Sequence, residues 1–135
     1  MGSWQKRFFI LPEESLYTQK AKKILIYRKG QINLIEDDLL WLDYPTNRDK
    51  FFEFSKILKI SKSWSESIDL YGDLDSHCLE VMFDENNIVL SVNLRLDFSA
   101  EYKVILDFIE SFCKKNNFII LTDKLEVFNI EGQNE

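Results

Sequence analysis

The ten residues VLSVNLRLDF, 89–98, alternate apolar and polar side chains with a period of two. Leu90, Val92, Leu94, Leu96 and Phe98 fall on one side, and Ser91, Asn93, Arg95 and Asp97 on the other. Successive side chains of a strand point to opposite faces, so the pattern predicts a strand with one buried face. Upstream, CLEVMF (78–83) has strand composition, and DENN (84–87) between the two runs tolerates positive φ. Together they predict an antiparallel hairpin.

Working outward, SAEYKVILDFIESFCKKNN begins at Ser99, a residue suited to N-capping, and places Tyr102, Ile105, Phe108, Ile109 and Phe112 at helical spacing. An amphipathic helix over about 99–115 is predicted, closed by Lys114 and Lys115 against its dipole and by an αL exit at Asn116-Asn117. Strand runs follow at 118–121 and 125–130. On the other side, RFFIL (7–11) is a strand stopped by Pro12, and 23–28 pairs with 31–35 across Lys29-Gly30. Leu39, Leu40 and Trp41 anchor an irregular segment or short strand. Asn47 caps a second, shorter helix over about 47–58, with Phe51, Phe54 and Leu58 on one stripe. A further strand at 67–71 precedes the turn-rich YGDLDS. The expected fold is α+β: a single domain, 1–135, with a mostly antiparallel curved sheet and the 99–115 helix packed on one face. The apolar side of 89–98 then turns toward Phe108 and Phe112, leaving Asn93, Arg95 and Asp97 on the other side.

Composition narrows the function. The chain has 135 residues, 45% hydrophobic and 30% charged, with eleven Phe, five Tyr and three Trp, which is the composition of a folded domain. Its net charge of −6 argues against a phosphate backbone as partner, and the one basic cluster, KAKK (20–23), reads as a solvated face. No apolar run approaches the length of a membrane span, and the four-residue apolar run near the N-terminus is too short for a secretory leader. Cys78 and Cys113 form neither a CxxC nor a zinc spacing, and reduced structural thiols fit the cytoplasm.

Few residues look chemical. In DLYGDLDSH, Asp69, Asp73, Asp75 and His77 are of metal-ligating type, yet Asp, Ser and Gly are also what a hairpin turn requires. No metal site is assigned. His77 is the only histidine, no GxSxG elbow accompanies it, and four glycines form no phosphate cradle. No catalytic residue and no cofactor is therefore expected. Among the tryptophans, Trp4 and Trp41 read as core or rim, whereas Trp64, in the polar context SKSWSES, reads as an interface anchor. Arg95 and Asp97 share a strand face about 7 Å apart, within reach of an ion pair or of polar neighbours on adjacent strands. They are either a solvated pair or one edge of a binding surface.

The segments SIDLYG, LEVMFDENNIVLSVNLRLDF and VILDFIESFCKKNNFIIL, within 61–128, resemble small acidic bacterial α+β proteins of unassigned activity, some of them immunity proteins of toxin–immunity loci. The resemblance implies stoichiometric binding to a toxin domain. The leading expectation is a cytoplasmic, non-catalytic binding protein that neutralises a basic toxin domain, with Trp64, Asp73, Asp75, Arg95 and Asp97 as contact residues. The alternative is a small ligand-binding or enzymatic domain with a pocket lined by Asn93, Arg95 and Asp97, near His77. A subunit that dimerises through a strand edge is a third reading.

Overall fold

The predicted hairpin forms where the alternation places it, inside a larger antiparallel sheet. The computed structural model describes residues 5–17 and 38–122, so the strands expected at 23–28, 31–35 and 125–130 lie outside the described residues. Six strands are present among those described: β1 (Gln5–Pro12), β2 (Ile60–Ser61), β3 (Ile68–Gly72), β4 (Cys78–Phe83), β5 (Val89–Asp97) and β6 (Phe118–Thr122). They are ordered β2-β3-β4-β5-β1-β6, and every neighbouring pair is antiparallel. With the helices described below, the class is α+β.

The turn joining β4 to β5 is built by Asp84, whose carboxylate accepts the backbone N–H of Asn86 (2.8 Å) and of Ile88 (3.0 Å). Asn87 takes φ 64°, the left-handed region that Asn tolerates better than most residues. A bulge between Met82 and Phe83 sets the pairing, after which Val81 faces Val92, Glu80 faces Asn93 and Cys78 faces Arg95. Directly opposed residues share a face. One face therefore aligns Tyr71, Leu79, Leu94 and Phe8, and the other aligns Leu70, Glu80, Asn93 and Phe9.

β1 inserts between β5 and β6 and runs antiparallel to both, so β5 and β6 are parallel to each other with β1 between them. Parallel strands need a long crossover. Here it is the helix Lys103–Asn116, about 21 Å long at 1.5 Å per residue. We label the short helix Asp38–Trp41 α1 and this one α2. Ile105, Leu106, Ile109, Phe112 and Cys113 of α2 are buried in the same core as Phe8, Leu79, Leu94 and Ile120. The helix ends as its sequence indicates, with Asn117 at φ 58° donating its N–H to Cys113 O.

Three local expectations are corrected. α2 begins at Lys103, not at Ser99: Ser99 is held in the turn after β5, where its N–H and hydroxyl both donate to Asp97 (2.9 and 2.6 Å). The segment 38–41, expected as irregular or a short strand, is helical, and Leu40 and Trp41 are both buried. The second helix is a 3-10 helix, Arg48–Lys56, capped by the Asn47 side chain, whose Oδ1 accepts from Asp49 N–H. In a 3-10 helix residues i and i+3 eclipse. That geometry drives Phe51 and Phe54 inward together, with rings 6.4 Å apart and 28° from parallel. Phe51 stacks on Phe118 at 5.7 Å, and Phe54 meets Phe112 edge-on at 4.8 Å. The same helix is tied to the hairpin tip, since Arg48 N–H donates to Asn87 O and Val89 N–H to Thr46 O.

Candidate functional site

The face of the sheet that carries the polar half of VLSVNLRLDF is not open to solvent. Ser91 and Glu80 are buried, and Asn93 and Arg95 are half-buried. Two segments partly cover this face. The loop after β2 brings Trp64 over β4, where its indole N–H donates to Glu80 Oε2 at 2.9 Å. The β3–β4 turn is tied to β1 by Gln5, whose side-chain amide donates to Leu74 O (2.9 Å) and Ser76 O (2.6 Å). Between them lies a cavity of about 390 Å³ with Trp64, Ile68, Leu74 and Met82 as apolar walls and Arg7, Glu80, Asn93 and Arg95 as its polar groups.

The charges in this cavity follow from register. Arg7 and Arg95 are directly opposed across β1 and β5. Glu80 is diagonal to Arg95, and its Oε1 stands 3.8 Å from the Arg95 guanidinium. Its other oxygen is taken by Trp64. Arg95 Nε is buried without an acceptor, and Arg7 has no carboxylate partner among the described residues. The cavity therefore holds two guanidinium groups and one carboxylate, and that carboxylate stands near Arg95 alone.

Trp64 also lines an adjoining open groove of about 610 Å³ with Phe52, Ile60 and Ile68. Trp64, Phe52 and Ile60 are 69%, 59% and 54% exposed, so large apolar surface faces solvent beside the short edge strand β2. The floor of the groove is fixed by Arg48, whose guanidinium forks onto Asp69 (Nε to Oδ2, 2.8 Å) and lies 3.7 Å from the centre of the Phe83 ring. The hydrogen bond to Asp69 raises the Arg48 pKa above its ordinary value.

Of the five residues singled out from sequence, Trp64 and Arg95 meet around Glu80. Asp73 and Asp75 are exposed in the β3–β4 turn, flanking Leu74 of the same cavity, and Asp73 Oδ1 accepts from Asp75 N–H at 2.9 Å. Asp97 is separate. Its carboxylate is held below the usual range by the Ser99 hydroxyl and then by the Ser99 amide, and the carboxylate facing Arg95 is Glu80. His77 is also elsewhere: its Nδ1 accepts from Asp97 N–H (3.1 Å), which places the ring proton on Nε2, donating to Glu101 O (2.8 Å). Both ring nitrogens are thus used to join β4, the end of β5 and the approach to α2. Among the described residues no three His, Cys, Asp or Glu side chains converge as a metal site.

Arg7 and Glu80 escaped sequence reasoning. Glu80 did leave a signal, as the single charge within the otherwise apolar CLEVMF. Arg7 left none, because nothing local states that β1 lies beside β5. Among the described residues no helix is long and apolar enough to cross a membrane. Comparisons of the chain with protein-family models, with curated proteins and with solved structures gave no match.

Proposed function

We propose that the chain is a non-catalytic, immunity-type binding protein that neutralises a basic toxin domain by direct contact. In this reading α2 lies across one face of the sheet as scaffold, and the surface around Trp64 meets the partner. The observation that carries the reading is the state of Trp64: its indole is 69% exposed yet fixed by the hydrogen bond to Glu80, beside exposed Phe52 and Ile60. An immobilised aromatic loses little entropy on binding, and Trp is the residue most enriched among interface hot spots. The acidic balance of the chain, −6, and the exposed Asp73 and Asp75 supply the potential that draws a basic partner.

The test is co-expression with the product of the adjacent gene. Wild type is expected to suppress its toxicity and to bind it directly, and Trp64→Ala is expected to weaken binding by about thirtyfold, the equivalent of about 2 kcal/mol. A neighbouring gene whose product is harmless and does not bind, or a Trp64→Ala variant that protects as well as wild type, refutes the proposal.

A further inference from the structure

We propose that the cavity lined by Arg7 and Arg95 is a binding site for a small organic carboxylate with an apolar body. The inference does not rest on the protein-binding reading, which concerns the outer surface of Trp64.

Like charges placed directly opposite on neighbouring strands destabilise a sheet. Arg7 and Arg95 are so placed, on a half-buried face, and the one carboxylate beside them, Glu80, lies on β4 on the far side of Arg95 from Arg7. Glu80 does not satisfy them: one oxygen is 3.8 Å from Arg95, beyond a normal hydrogen bond, and the other accepts from Trp64. Arg95 Nε is buried and has no acceptor. Arg7 has no carboxylate partner among the described residues, so the arginine pair is under-neutralised, and an incoming anion offsets the excess charge.

Each remaining feature narrows the ligand. Two guanidinium groups against one carboxylate leave a single positive charge in the cavity, matching a monoanion. A guanidinium is planar and pairs with a carboxylate through two parallel N–H···O bonds, and Arg7 and Arg95 both line the cavity. Trp64, Ile68, Leu74 and Met82 make the rest of the wall apolar, which a fully polar anion such as inorganic phosphate does not exploit. The volume, about 390 Å³, falls in the range of small-molecule sites and admits a ligand with an aromatic ring and a short side chain.

The full chain is titrated with 3-phenylpropionate, hexanoate, 3-phenylpropionamide and inorganic phosphate, followed by Trp fluorescence and by amide chemical shifts. Saturable binding of at least one carboxylate is expected, with shifts at β1, β4 and β5. The amide and phosphate are each expected to bind at least about tenfold more weakly, because charge-assisted pairing and apolar burial are lost in turn. Arg7→Met and Arg95→Met are each expected to weaken carboxylate binding about tenfold or more. Arg7→Met is also expected to melt at or above the wild-type temperature in the absence of ligand, since it relieves the repulsion, so its binding defect is not a folding defect. Absence of saturable binding by either carboxylate overturns the inference. Equal affinity for the amide or for phosphate, or unchanged binding by both folded variants, does so as well.

Discussion

Replacing Gly72 by alanine tests how the turn that carries Asp73, Leu74 and Asp75 is held. Gly72 ends β3 at φ +93°, and a Cβ built there would lie 2.2 Å from His77 O and 3.1 Å from Cys78 Cα. Both are backbone atoms at the start of β4, so the clash is relieved only by moving a strand. Holding an L-residue at positive φ costs about 1–2 kcal/mol. The shift also threatens Asp73 N–H to His77 O (3.0 Å) and Gly72 N–H to Lys59 O (2.6 Å), each contributing about 1 kcal/mol. Gly72→Ala is therefore expected to destabilise by about 3–4 kcal/mol, a large share of the roughly 5–15 kcal/mol typical of a domain. Equilibrium urea unfolding followed by tryptophan fluorescence measures it: with a slope of about 1–3 kcal/mol/M, the midpoint falls by at least about 1 M. Asn117→Gly, at φ 58° after α2, is the control and should be neutral or slightly stabilising, because glycine adopts this conformation without strain. A Gly72→Ala variant within about 0.5 kcal/mol of wild type refutes the reasoning.

Burial pushes the thiol of Cys78 up to about 11 and that of Cys113 up to about 12, so neither forms a thiolate at neutral pH. Native protein should react with a thiol reagent only at its unfolding rate, and fast labelling of either cysteine contradicts the structure. Phe51 contacts the rings of Trp41, Phe54, Phe112 and Phe118, so Phe51→Ala should cost about 3–5 kcal/mol in the same urea assay. A loss under about 1 kcal/mol would mean that this cluster is not packed as described. Asp97 has a depressed pKa in the folded state, so its stabilising effect is present above its ordinary value, near pH 4, and is lost as pH falls through the folded value. Melting temperatures of wild type and Asp97→Asn should differ at pH 6 and converge as the pH falls through the folded value of Asp97, whereas parallel curves contradict the Ser99 contacts.

The elements that were legible from sequence are those whose signals are local. The alternation in 89–98 and the composition of 78–83 locate β5 and β4 because a strand writes its two faces into consecutive residues. The 3.6-residue period locates α2, but not its start, because Ser99 is recruited by Asp97 instead of capping the helix. The 3-10 character of Arg48–Lys56 was not legible, since Phe51 and Phe54 three apart suit either helix. Of the candidate site, Trp64 and Arg95 are legible from their residue type and local context. Glu80, which joins them, was missed because its place depends on the bulge at Met82 and Phe83.

By itself, the sequence determined the hairpin, the helix after β5, the two-sided character of β5 and the net charge of −6. Alternation states which side chains share a face, but any strand of suitable pattern can pair with any other. Only the tertiary structure decided that β1 lies between β5 and β6. That single pairing sets Arg7 opposite Arg95, and the folding of Trp64 and Leu74 over the same face turns a row of polar residues into a walled, positively charged cavity. Pairings between distant segments are fixed by the packing of the whole core, and local sequence carries no record of them.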